Sequence, residues 1–193
     1  MSFFKKIFNL KDPAAKKIKE EEVQLSLDDA FVHHFIWKGG KFLYCLSEEE
    51  LKTNLNRILL ENQWNKVACL HLHEHSFIKD LDIEVTSKHN SEIPFFTNCE
   101  HLISDCGDIL FSSNQIGGHK LVSLTENFIV FAKTSQLVKD IGEGLTGIKT
   151  NYKNIPTNIS AVRNYRVSPD DDSFLHYGNG NAKNLYLLLL EDL

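Results

Sequence analysis

The chain has 193 residues, of which 42% are hydrophobic, and it carries a formal net charge of −5. That length suffices for one well-buried core and is short for two. The negative charge opposes nucleic-acid binding, which draws its affinity from clustered Lys and Arg, and no apolar run approaches the roughly 20 residues of a membrane helix. We therefore expect one domain with no transmembrane segment and no nucleic-acid partner.

The cysteines and the first residues both favour a cytoplasmic protein. Cys45, Cys69, Cys99 and Cys106 form no CxxC pair, so they indicate neither a zinc site nor a redox motif. The amino-terminal residues interleave charged and apolar side chains and lack the continuous apolar stretch of a signal peptide. Reduced thiols and the missing signal together predict a cytoplasmic location.

Residues 1–22 are predicted to form an arm that precedes a single domain at residues 23–193. Residues 1–19 hold six Lys against one Asp, so a basic arm precedes an acidic body. Four apolar side chains of the arm would share one helical face: Phe3, Phe4, Ile7 and Phe8. Such a face can contact a membrane surface, the body of the protein or a partner subunit. Protein packing is favoured, because so short a helix is marginal alone.

The body alternates helical and extended patterns, as layered α/β domains do. A helix is predicted from Ser47, where Glu50 completes a capping box, to about Asn62. The run Cys99–Ile103 is predicted to be a short helix. Four apolar runs are predicted to be strands: Lys66–Leu70, Asp108–Ser112, Phe128–Phe131 and Leu185–Leu190. The last run is continuous, which favours a central position in a sheet covered on both faces.

Three histidines, His71, His73 and His75, follow the first of these strands. Alternate positions on an extended chain point the same way, so three imidazoles could meet one metal. Parallel side chains do not by themselves converge, however, and a solvated loop rich in histidine is the favoured interpretation. No metal site is predicted, and any cofactor is left open because Walker and dinucleotide fingerprints are missing.

Gly107 follows Asp105 and Cys106 and directly precedes a predicted strand. Glycine permits backbone angles that other residues resist, so a tight turn is expected there. The turn is either a plain entry into the strand or a place where a ligand approaches the backbone. In the second case Asp105 would serve as a hydrogen-bond acceptor or base.

A second glycine-bearing turn, Gly178-Asn179-Gly180, precedes Lys183 and the last strand. Successive amides in such a turn can form an anion-binding concavity, and a nearby Lys supplies charge. The same glycines equally fit an ordinary turn into the strand. Arg163, on a long polar stretch, can clamp a carboxylate through two parallel hydrogen bonds.

The predicted ligand site joins these segments at the carboxyl-terminal edge of the sheet. Its candidate residues are Asp105, Gly107, Arg163, Gly178, Asn179, Gly180 and Lys183. Strand ends at that edge are where ligands of open α/β sheets bind. A phosphate or a carboxylate is the kind of ligand that this set fits.

Three stretches carry a family resemblance: residues 105–111, residues 121–131 and residues 178–188. From about Cys99 onward the chain resembles the LUD (lactate utilization) family, including its lactate utilization protein C group. It departs at Cys106-Gly107-Asp108, where family members carry Thr-Gly-Thr, and is identified as a divergent member. The resemblance implies a three-layer α/β/α fold with a mostly parallel central sheet, of the NagB/RpiA/CoA transferase-like type.

The resemblance also implies a function. The first hypothesis is an accessory or binding component in the use of lactate or a related small organic acid, working with protein partners of a lactate-oxidation system. The alternative is a small transferase or ligase-like enzyme that binds a phosphate- or CoA-bearing metabolite. A third possibility is a catalytically empty scaffold of the same fold. Whether the chain is an enzyme is left open, since no G-x-S-x-G elbow or ordered nucleophile and base is found.

Overall fold

The computed structural model describes residues 26–70, 76–88, 90–165 and 182–192. The strands in these ranges are β1 (Lys41–Cys45), β2 (Lys66–Ala68), β3 (Glu84–Thr86), β4 (Phe95–Thr97), β5 (His101–Ile103), β6 (Asp108–Phe111), β7 (Asn127–Lys133), β8 (Leu137–Val138), β9 (Ser160–Val162) and β10 (Asn184–Leu190). The main helices are α1 (Leu27–Trp37), α2 (Glu48–Glu61), α3 (Ser113–Ile116) and α4 (Ile141–Asn151). The predicted arm at residues 1–22 lies outside the described ranges. Within those ranges, no helix has the length and hydropathy of a membrane span.

A six-stranded sheet in the order β1-β10-β7-β4-β2-β3 forms the centre of the described structure. Its pairings are all parallel. β10 pairs with β7 from Asn184 opposite Asn127 to Leu190 opposite Lys133, and with β1 on its other side. The predicted interior position of the last strand is therefore confirmed.

Both faces of the central sheet are covered, as the apolar run in β10 predicts. Leu185, Leu187 and Leu189 lie in one core cluster, together with the buried phenylalanines of α1. Leu188 and Leu190 lie in the other cluster, beneath the apolar face of α2. Successive side chains of a strand point to opposite faces, so a strand between two layers must be apolar at every position. The predicted three-layer α/β/α fold is confirmed.

The second helix, α2, begins and ends where the sequence predicts. The Ser47 hydroxyl accepts a hydrogen bond from the Glu50 amide at 3.2 Å, and Asn62 caps the carboxyl end. The Glu50 carboxylate in turn accepts from the amide of Leu46 at 2.8 Å. These contacts hold the entry of the helix, where amide groups have no intrahelical partner.

A smaller sheet in the order β8-β5-β6-β9 packs beside α1. β5 and β6 form an antiparallel hairpin, and β9 runs antiparallel to β6. One face of this sheet contributes Leu102 and Ile109 to the core that α1 covers. The other face packs Ile103 and Leu110 against Ile148 of α4. The small sheet therefore packs on both faces, against the core beneath α1 and against α4.

The prediction of a short helix at Cys99–Ile103 is wrong, because His101–Ile103 forms strand β5. Leu102 lies opposite Ile109 and Ile103 opposite Asp108 in the hairpin with β6. Helical and extended periodicities cannot be separated in so short a run, so the cross-strand partner decides the conformation.

Gly107 closes the turn between β5 and β6 in a left-handed conformation, with φ of +69°. Its amide donates to the carbonyl of Ile103 at 2.7 Å. A Cβ added here would lie 2.6 Å from the amide nitrogen of Phe35 and 2.8 Å from the carbonyl carbon of His34. The turn therefore packs directly on the backbone of α1, and both the dihedral angle and the contact require glycine.

Gly107→Ala should lower the free energy of unfolding by on the order of 2–4 kcal/mol, because it combines backbone strain with a clash against a helix. Gly118→Ala is the matched control, since a Cβ at Gly118 meets no atom within 4 Å. The control should change stability by less than about 0.5 kcal/mol. Urea denaturation of both variants measures the difference, and equal effects would contradict the proposed packing role of Gly107.

Candidate functional site

The described residues of the predicted ligand site lie around the amino-terminal edge of the central sheet. Lys183 immediately precedes β10, which runs parallel to β1 and β7. The starts of these strands therefore share one edge. The prediction of a site at the carboxyl-terminal edge is wrong for Lys183. This residue precedes β10, and because β10 runs parallel to β1 and β7, Lys183 lies at the edge where all three strands begin.

Asp105 and Gly107 belong to the turn between β5 and β6. Asp105 is exposed, and its amide donates to the carbonyl of Lys139 at 3.0 Å. The carbonyl of Gly107 accepts a hydrogen bond from the Tyr165 hydroxyl at 2.7 Å, while its Cα faces α1. The missing Cβ at Gly107 therefore allows the backbone of α1 to approach this turn closely.

Tyr165 connects the turn to the other predicted residues. Its amide donates to the carbonyl of Lys38 at 3.3 Å, and its hydroxyl contacts Gly107. One residue earlier, the carbonyl of Asn164 accepts from the amide of Lys183 at 3.0 Å. Burial raises the pKa of Tyr165 well above its usual value, so the phenol is a neutral donor. The backbone at residues 163–165 thus bridges the Gly107 turn and the start of β10.

Asp108, the first residue of β6, holds a cluster of charges beside this bridge. Its side chain is 8% exposed, and its carboxylate lies 2.6 Å from Nζ of Lys38 and 3.5 Å from Nε of Arg163. The side chain of Arg163 is 69% exposed. A buried carboxylate requires such partners. Two cations and one carboxylate leave this charge cluster with a net positive charge.

Lys183 is 2% exposed and directs its ammonium group into the protein. The ammonium donates to the carbonyls of Leu124 and Thr125 at 3.1 and 2.9 Å, and it lies 5.2 Å from the ring centroid of Phe128. Burial lowers the pKa of Lys183 to about 8, while the charge of Glu126 acts in the opposite direction. The amino group therefore holds the segment that leads into β7 instead of facing an open site.

Two predicted features lie outside the described residues: the turn Gly178-Asn179-Gly180 and the histidines His71, His73 and His75. In the parts of the chain that the structure describes, no group of three or more His, Cys, Asp or Glu could hold a metal ion.

A second polar cluster, which sequence analysis did not identify, surrounds Glu100. The buried carboxylate of Glu100 accepts hydrogen bonds from the Ser112 hydroxyl at 2.5 Å, the Asn114 amide at 2.9 Å and the Tyr152 hydroxyl at 3.0 Å. Burial and the contact with Glu100 raise the pKa of Tyr152, which stays a neutral donor. Glu100 lies just beyond the end of β4, on the side of a parallel sheet where ligands commonly bind.

The fold and these motifs correspond to a known family. The family model described as LUD domain matches residues 65–190. Because this match covers more than half of the 193 residues, the chain belongs to the LUD domain family. No curated protein matches the chain at a significant level.

A solved structure supports the fold independently. The chain is similar to a DUF162 family protein from Deinococcus radiodurans, with a TM-score of 0.62 and 13% sequence identity. The alignment covers 87% of this chain and 99% of the other. At this identity the likeness shows a shared fold and nothing about ligands.

Lys183→Met should destabilise the protein by about 1–3 kcal/mol, since the carbonyls of Leu124 and Thr125 lose their buried donor. The loss of stability relative to the wild type should grow as pH rises. The pKa of Lys183 is lowered from 10.5 to about 8 in the folded chain, so between these values the unfolded chain binds more protons and the folded wild type gains stability as pH rises. The variant lacks this gain.

Urea denaturation of the wild type and of Lys183→Met at pH 7 and pH 9.5 measures this difference. The stability gap should be wider at pH 9.5. A gap that is the same at both pH values would mean that burial does not lower the pKa of Lys183.

Proposed function

We propose that this LUD domain protein binds a small organic acid, such as lactate or a related carboxylate, as an accessory or binding component of its oxidation. The observation that supports the proposal is the state of Arg163, whose Nε pairs with the Asp108 carboxylate and whose side chain is 69% exposed. The proposed protein partners of a lactate-oxidation system and the cytoplasmic location stay predictions.

The geometry of Arg163 suits a carboxylate ligand. Its Nε lies 3.5 Å from the buried carboxylate of Asp108, and this ion pair restrains the orientation of the side chain. A guanidinium held in this way can still present its two terminal nitrogens as a fork, and that fork matches the two oxygens of a carboxylate. Restraint by a buried partner also lowers the entropy that a ligand must otherwise remove.

The charge around Arg163 also favours an anion. Lys38 shares Asp108 with Arg163, so the charge cluster stays positive in a chain whose formal net charge is −5. Residues 163–165 also adjoin Lys183 through the backbone, which brings the segment that follows Gly178-Asn179-Gly180 next to Arg163. Asp105, Gly107 and Lys183 would then support the backbone around the ligand, and Arg163 would contact it.

Isothermal titration with lactate and other short mono- and dicarboxylates tests the proposal. Arg163→Ala should weaken binding by roughly 10- to 100-fold, and Arg163→Lys should recover only part of the loss because it keeps the charge without the fork. Arg57→Ala is the control, since Arg57 is an exposed arginine on α2, and it should leave the dissociation constant unchanged. Unchanged affinity in Arg163→Ala, or the absence of any binding acid in the panel, would overturn the proposal.

A transferase or ligase-like enzyme is the second candidate, and the cluster around Glu100 favours it. The Glu100 carboxylate is buried and fixed by hydrogen bonds, as a reacting carboxylate must be held. A thermal-shift screen with short carboxylates, CoA esters and phosphorylated metabolites distinguishes the two candidates. Stabilisation that is lost in Glu100→Gln but kept in Arg163→Ala would support the enzyme, and the reverse pattern would support the binding protein.

A further inference from the structure

A groove of about 480 Å3 opens at the carboxyl-terminal edge of the central sheet, the edge opposite the charge cluster around Asp108. It is lined by Leu27, Asp28, Tyr44, Thr134, Ser135, Leu137 and Glu191. These residues come from the start of α1, from β1, from the turn after β7 and from the residue that follows β10. Both the volume and the position at the ends of parallel strands are those of a binding site.

One wall of the groove is fixed by Asp192. Its carboxylate accepts hydrogen bonds from the Thr134 hydroxyl and the Ser135 amide, both at 2.9 Å, and from the Ser135 hydroxyl at 2.8 Å. The hydroxyls of this wall are therefore already engaged with a carboxylate. These hydrogen bonds fix the position of this wall. The charge of the lining residues then determines which kind of partner the groove fits.

The lining combines negative charge with exposed apolar surface. Asp28 and Glu191 contribute carboxylates, and the lining residues include neither Lys nor Arg. Leu27 is 45% exposed and Tyr44 is 41% exposed. Partial loss of hydration and the neighbouring Glu191 raise the pKa of Tyr44, so its hydroxyl is a donor to an acidic neighbour. An occupant that complements this surface carries positive charge and apolar side chains together.

The chain itself supplies a segment of that composition. We propose that residues 1–19 occupy the groove in cis, with lysines paired to Asp28 and Glu191 and apolar side chains against Leu27 and Tyr44. The segment holds six Lys and one Asp, interleaved with Phe3, Phe4, Ile7 and Phe8. Its charge is opposite to that of the groove, and its apolar residues match the exposed surface beside it.

The covalent connection makes this docking geometrically accessible. The residue Leu27 both begins α1 and lines the groove, so the chain enters the described structure at the docking surface. Residues 20–26 separate the proposed docking segment, residues 1–19, from Leu27 and span at most roughly 25 Å when extended. A short tether gives an effective concentration in the millimolar range. Exposed ion pairs that are weak between separate molecules then suffice for occupancy.

Zero-length carbodiimide crosslinking of the full chain at low concentration tests the proposal. This reagent joins a lysine only to a carboxylate in contact with it. We expect links from Lys5 or Lys6 to Asp28 or Glu191 within monomeric protein, identified by mass spectrometry. Glu61 is the control acid, because it is exposed and ends α2 near the other edge of the sheet.

Trypsin cleavage after Lys6 in the full chain gives a second measurement. A docked arm should be cut several-fold more slowly in the wild type than in Asp28→Asn/Glu191→Gln, whereas Glu61→Gln should behave as the wild type. Glu191→Gln alone should give an intermediate rate and avoids any effect of Asp28 on the first turn of α1. Equal cleavage rates in all variants, links that reach Glu61 as often as Glu191, or links found only between two copies of the chain would each overturn docking in cis.

Discussion

The pairing of β7 with β10 is the constraint on which the rest of the described structure depends. These strands align over their full lengths, from Asn184 opposite Asn127 to Leu190 opposite Lys133, and both are almost entirely buried. Because one face of the pair packs under α1 and the other under α2, a slip of one residue would send each side chain to the wrong layer. The register is therefore fixed by two cores at once.

That register also places the candidate site. Lys183 stands one residue before β10, and its buried ammonium reaches the carbonyls of Leu124 and Thr125 just before β7. The same residue pairs through its amide with Asn164, next to Arg163. The backbone beside the arginine is thus tied to a buried strand pair, and a rigid support of this kind helps a single exposed guanidinium to select a ligand.

Local signals in the sequence were sufficient for some elements and not for others. Each cap of α2 is a contact between residues close in sequence, Ser47 with Glu50 and Asn62 with Ile58. The apolar run in β10 indicates that both of its faces are buried. Both features can therefore be predicted. Lys38 and Asp108 lie far apart in sequence and come into contact only in the folded chain. No local sequence pattern therefore predicts their ion pair. The sequence predicts that Lys183 faces a ligand, because a sequence shows the charge of a lysine but not its burial. The cluster around Glu100 was missed for the same reason, since its donors come from segments that only the fold brings together.

The two edges of the central sheet differ in charge, and this difference separates the two proposals. The amino-terminal edge carries Lys38 and Arg163 around one buried carboxylate, whereas the carboxyl-terminal edge carries Asp28 and Glu191 around an open groove. An anionic ligand and a basic arm are therefore drawn to opposite ends of the same strands. Because each end is built from different residues, neutralising the acids of the groove leaves the Arg163 site intact, and removing Arg163 leaves the groove intact. The two ends are joined by β10 and by α1, which begins in the groove at Leu27 and is capped by Lys38, and the buried packing of these elements permits little independent movement.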